Sequence, residues 1–149
     1  FIDVSNSTKS SALSVHKNAL SHFHAIILHT NKPEETIARY CWLTDQSSPR
    51  RIFGSSWQVG LDQQKIIVCS EEDVERIFPS VDVSNLPSIL GYALLTESLS
   101  KTKDCFSHNG LVTQSLNQGS FLVKLPEFIS GNLIIGTSAA DFPWNGDFN

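Results

Sequence analysis

Apolar and polar residues alternate along "HFHAIILHT" at residues 22–30, and alternation of period two predicts a half-buried strand. On that spacing His22, His24, Ile26 and Leu28 share one face, and Phe23, Ala25, Ile27 and His29 share the other. Asn31-Lys32-Pro33 ends the strand. Pro33-Glu34-Glu35 then reads as the first turn of a helix reaching about Leu43, with proline early and acids near the positive end of the dipole. Residues 50–54 and 57–61 predict two short strands. A turn at 61–64 follows, then a strand at 65–69, giving a meander with antiparallel pairing.

Ser70-Glu71-Glu72-Asp73 has the character of a helix start, leading through Val74, Ile77 and Phe78 to a stop at Pro79. A second helix is expected from Pro87 through Leu90, Ala93 and Leu94 to about Leu99. Strands are expected at 110–114, 120–125 and 132–137, separated by turns at 117–119 and 130–132. The tail "DFPWNGDFN" reads as surface loop, and near the amino terminus Ala12, Val15 and Ala19 have only a weak helical spacing. No repeat or linker divides the chain. The pattern predicts a single α+β domain over residues 1–149, with an antiparallel sheet and a few short helices.

At 149 residues and 40 % hydrophobic content the chain can fill one core. No apolar run approaches the roughly 20 residues of a membrane helix, so no membrane span is expected. The net charge of −4, with 11 Lys and Arg against 15 Asp and Glu, gives no footprint for a phosphate backbone and argues against nucleic acid as a partner. Cys41, Cys69 and Cys105 form an odd set without CxxC spacing. They read as small apolar core residues in a reducing, cytoplasmic setting. The chain starts at Phe1 and has no Met, which suggests that its natural beginning was processed, trimmed or omitted, and Asn6-Ser7-Thr8 fits a glycosylation sequon.

Three of the five histidines lie between 22 and 29. His22 and His24 on one strand face have the spacing of the metal motif in rolling-circle replication nucleases. The acidic or amide third ligand and the tyrosine–lysine pair of that motif are missing, so His22, His24 and His29 read as pocket-edge or solvent-facing groups, or as pH-sensitive ligand contacts. No metal site and no cofactor are expected. Cys41 and His108 have the residue types of a thiol–imidazole dyad but no local signature, so Cys41 reads as core. Arg50-Arg51 begins a strand, so alternation sends the two guanidinium groups to opposite sides: either one enters a pocket and clamps a carboxylate, or both are solvated. Lys65 opens the next strand and could join the same face.

The strand "HFHAIIL", the basic pair before "IF", then "KIIVCS", "LGYALLTESLSKTKDCF" and "SGNLIIGTSAADFPW" come in an order that resembles the chorismate lyase (chorismate pyruvate-lyase) family over nearly the whole chain. That resemblance implies elimination of pyruvate from chorismate to give 4-hydroxybenzoate for ubiquinone synthesis, in an enclosed pocket under helical flaps. Carried over by position, Arg50 is the catalytic clamp on a carboxylate. Arg51, Lys65 and the flap leucine Leu90 then bind the small aromatic carboxylate. Where the family has a late glutamate this chain has Gly136-Thr137-Ser138-Ala139, with Asp141 the next acid. The resemblance therefore leaves Thr137 and Ser138 as hydroxyl contacts, and leaves open a non-catalytic binding or protein-interaction domain.

Overall fold

The computed structural model describes residues 17–46, 48–79, 89–129 and 131–145. The sequon at Asn6, the spacing of Ala12 and Val15, and the helix start at Pro87 lie outside them. Eight strands form one mixed sheet: β1 (Leu20–Thr30), β2 (Arg50–Phe53), β3 (Ser56–Leu61), β4 (Gln64–Ser70), β5 (Ile89–Thr96), β6 (Val112–Asn117), β7 (Ser120–Lys124) and β8 (Asn132–Gly136). Three helices accompany them: α1 (Pro33–Thr44), the single turn α2 (Val74–Ile77) and α3 (Leu99–His108).

The strand order is β2-β3-β4-β1-β5-β8-β7-β6. It has an internal symmetry that the sequence pattern hides, because β1-α1-β2-β3-β4 and β5-α3-β6-β7-β8 are the same unit used twice. In each half the last strand returns beside the first in parallel, Ile27 level with Ile67 and Ala93 level with Ile134. The halves join where β1 and β5 run antiparallel. The expectation of no repeat is corrected, and so is that of a wholly antiparallel sheet. What repeats is element order and turn chemistry: Ser70-Glu71-Glu72-Asp73 after β4 has its counterpart in Ser138-Ala139-Ala140-Asp141 after β8.

Each half covers one face of the sheet with its helix. Ile37 of α1 packs on Leu28, Val59, Ile66 and Val68, and Leu99 and Phe106 of α3 pack on Phe121, Val123 and Ile135. The opposite face, called the inner face below, buries Ala25, Ile27, Ile67, Cys69, Ala93 and Ile134 beneath residues that follow β4 and β8: Val74, Ile77, Phe78, Phe142 and Trp144. Burial on both faces makes the central strands continuously apolar, as in "IIVC" and "FLV".

That double burial misleads the sequence reading twice. The stretch Ile89–Thr96 is a strand and not a helix, since apolar residues on both faces leave no period to separate the two. The true helix begins afterwards at Leu99, where the Ser98 hydroxyl accepts from the Lys101 amide, in a segment too polar to stand out. The tail is likewise more than surface loop. Phe142 and Trp144 are only 1 % and 2 % exposed, and their rings stack with centroids 5.0 Å apart.

Candidate functional site

One end of the inner face gathers polar side chains from four adjacent strands. On β2, Arg51 sits opposite Trp57 on the helical face, with its guanidinium 5.4 Å from the Trp57 ring centroid and 3.6 Å from the Glu34 carboxylate. Alternation sends Arg50 the other way, opposite Gln58 of β3, which in turn lies level with the inner-face residue Ile67 of β4. Lys65 is two residues before Ile67 and so shares that face. Arg51 is thus partnered on the helical face and Arg50 lies at the edge of the inner face, and both residues are exposed.

Among the described residues neither Arg50 nor Lys65 has an ion-pair or hydrogen-bond partner, whereas Lys32, Arg39 and Arg51 each pair with Glu34 or Glu35. Burial, and then the Arg50 charge, lower the Lys65 pKa from its ordinary value. Two cations therefore share one face, Lys65 partly dehydrated and Arg50 exposed, with no acid paired to either among the described residues. Gly60, level with Lys65 on β3, leaves space there: a side-chain carbon at that position would meet nothing within 4 Å.

His24 completes the group from β1. A register shift between Phe23 and Ala25 inserts one extra residue against β5, so His24 and Ala25 both lean inward. The His24 ring stacks on Phe142 with centroids 4.9 Å apart, and its Nε2 is buried with no partner among the described residues. Burial, and then Lys65, lower its pKa, which favours neutral imidazole. His24 also forms a wall of a cleft of about 400 Å³ shared with Ser21, His22, Gln63, Gln64 and Leu95. Sequence reasoning singled out Arg50 and Lys65 but not Gln58 beside them, whose side-chain oxygen is also buried without a partner among the described residues. A glutamine alternating within "WQVGL" gives no signal of its own.

The other expected site residues lie elsewhere. Leu90 is 1 % exposed in the inner-face core on β5. Thr137 and Ser138 donate through their hydroxyls to Asp141 at 2.7 and 3.1 Å, beyond β8, which is five strands from β2 in the sheet. The sheet order therefore does not bring them beside Arg50. Cys41 belongs to α1 and packs partly buried against the first half, while His108 ends α3 over the other half.

A second polar cluster is structural in character. The Asp73 carboxylate accepts from the Ser55 amide at 2.9 Å and from the Ser56 and Ser70 hydroxyls at 2.8 and 2.7 Å. It ties the β2–β3 turn to the end of β4, as Asp141 ties the β8 end in the other half. A larger groove of about 490 Å³ beside α1 is bordered by Glu34, Glu35, Glu71 and Glu72, which would repel an anion.

No protein-family model matches the chain, and no curated protein matches it. Solved structures do. Methylmalonyl-CoA epimerase from Mycobacterium tuberculosis superposes with a TM-score of 0.55 over 79 % of this chain and 88 % of that one, at 9 % identity. The chain is similar to it in fold. Lactoylglutathione lyase from Agrobacterium tumefaciens covers 78 % of this chain and 92 % of its own, at 10 % identity, but its TM-score of 0.33 adds nothing to the assignment.

The fold is thus like that of the methylmalonyl-CoA epimerase, which overturns the chorismate lyase resemblance. Pyruvate elimination, 4-hydroxybenzoate and ubiquinone synthesis fall with it. The resemblance followed the order of short apolar segments, which any sheet buried on both faces supplies, and its supposed flap helix is the central strand β5. Nor do the described residues gather three His, Cys, Asp or Glu side chains that could hold a metal ion. Among the described residues no third donor joins His22 and His24, and the fold likeness gives the nuclease alternative no better support. No described helix is long and apolar enough to cross a membrane.

Proposed function

We propose that the protein binds a small organic anion, with a carboxylate held by Arg50 and Lys65 and the body of the ligand in the cleft walled by His22 and His24. The observation that carries this reading is the placement of Arg50 and Lys65 on one face with no acid paired to either among the described residues. Guanidinium recognises a carboxylate through two parallel hydrogen bonds and ammonium adds a point charge, both strengthened where water is thinned. The aromatic packing of Phe142 and Trp144 leaves this end of the inner face, and not its centre, for a ligand.

Titration calorimetry with simple carboxylates at low ionic strength tests the reading. Saturable binding that weakens with added salt is expected. Arg50→Gln or Lys65→Gln should each weaken it about tenfold or more, since a charge-assisted hydrogen bond contributes roughly 1.5–3 kcal/mol. Absence of saturable binding for every carboxylate tried would end the proposal.

A further inference from the structure

The number of unmatched charges narrows the ligand class. Arg50 and Lys65 come from strands β2 and β4, separated by β3, so their backbones are roughly 10 Å apart across the sheet and offset by two residues along it. The two side chains are near enough for the guanidinium to disfavour the ammonium charge. Their bases are held apart by β3, and only the length of the two side chains brings the charges near each other. Gln58 lies beside Arg50, and Gly60 opens the space beside Lys65. His24, held toward its neutral form, adds no full charge at neutral pH.

Among the described residues no acid pairs with either cation. Glu34 is taken by Arg51 and Glu35 by Lys32 and Arg39, all on the side of the sheet that carries α1. A ligand with one negative charge would neutralise one cation and leave the other facing it unbalanced. One with two separate anionic groups would neutralise both and remove their mutual repulsion.

We infer that the ligand of this site is a short dicarboxylate, one carboxylate on the Arg50 guanidinium and the other on the Lys65 ammonium, across the gap above Gly60. This rests on the anion-binding reading and adds to it a class of ligand and a spacing between its charges.

The test is calorimetry on the whole chain with acetate, propionate, malonate, succinate, glutarate and inorganic phosphate. Wild type, Arg50→Gln and Lys65→Gln are compared, with circular dichroism to confirm that the variants fold. One dicarboxylate should bind about tenfold or more tightly than either monocarboxylate, with an optimum in chain length, and this advantage should disappear in both variants. Phosphate, with its charge on one centre, should bind no better than acetate.

Monocarboxylates binding as tightly as dicarboxylates, with both variants still weakened, would overturn the inference and keep the anion reading. Phosphate matching the best dicarboxylate would also overturn it, in favour of a single-centre dianion. No binding of any of these anions would remove both.

Discussion

Single side chains here are governed by what lies on their side of the sheet. Burial pushes the Cys69 thiol up to about 12, an effect opposed by the Ser56 hydrogen bond and reinforced by the Asp73 charge, so this cysteine is held as an unreactive thiol. Cys41 and Cys105 are free and only partly buried, which departs from the expectation that all three are core. A thiol reagent applied to the native protein should modify two cysteines, with the third released only on denaturation. Rapid modification of all three would contradict the buried placement of Cys69.

Asp141 gives the pH counterpart. The Thr137 hydroxyl, then the Ser138 amide and hydroxyl, hold its carboxyl below the usual 3.8, against a smaller opposing effect of burial. A depressed folded-state pKa contributes stability that is present above the unfolded value and is lost as pH falls through 3.8 toward the folded value. Acid unfolding of Asp141→Asn, followed by circular dichroism, should therefore be less steep over that interval than wild type. Identical acid limbs would show that the latch makes no difference. The sequence exposed the S-x-x-D spacing at both 70–73 and 138–141, but not that the two are the same device, because only their places at the ends of β4 and β8 make them equivalent.

Among the elements, strand positions were legible wherever turn residues bracketed them, and helix α1 was announced by its proline and acids. Register was not. The alternation of residues 22–30 predicts one face for His22, His24, Ile26 and Leu28, yet the extra residue at His24 moves Ile26 and Leu28 to the helical face and Ala25 and Ile27 inward. A one-residue bulge exchanges faces for everything after it, and its cause lies in the partner strand. The approach of β5 to β8 is equally silent in sequence. A side-chain carbon on Gly91 would run into the Asn132 carbonyl oxygen, backbone that cannot rotate away. Gly91→Ala is expected to cost about 3 kcal/mol, the upper end for overpacking a buried contact, read as a lower melting temperature and denaturant midpoint. An unchanged midpoint would mean that the two strands can separate without loss.

For the whole molecule, the duplicated unit does not imply two independent folds. The inner-face core draws on both halves at once: Phe142 from the second stacks on His24 of the first, and Ala25 and Ala93 face each other across the β1–β5 seam. Each half alone would be about 60 residues with that face stripped, close to the size at which a core barely sustains folding. Residues 1–80 expressed alone should therefore show no cooperative thermal transition, and mixing with 81–149 should restore one. A cooperative melt of the isolated half would show that its own helix and turn are sufficient.

The sequence by itself determined the strand-rich α+β class, the places of the turns, the absence of a long apolar helix among the described residues, and the two basic residues, Arg50 and Lys65, on which the candidate site rests. These are set by local chemistry: periodicity, turn residues, charge. Only the tertiary structure decided the duplicated topology, the inward turn of His24, the filling of the inner face by Phe142 and Trp144, and the separation of Thr137 and Ser138 from Arg50. Those depend on which strands become neighbours, and neighbours distant in sequence are chosen by the burial of both sheet faces together, which no short window of residues contains.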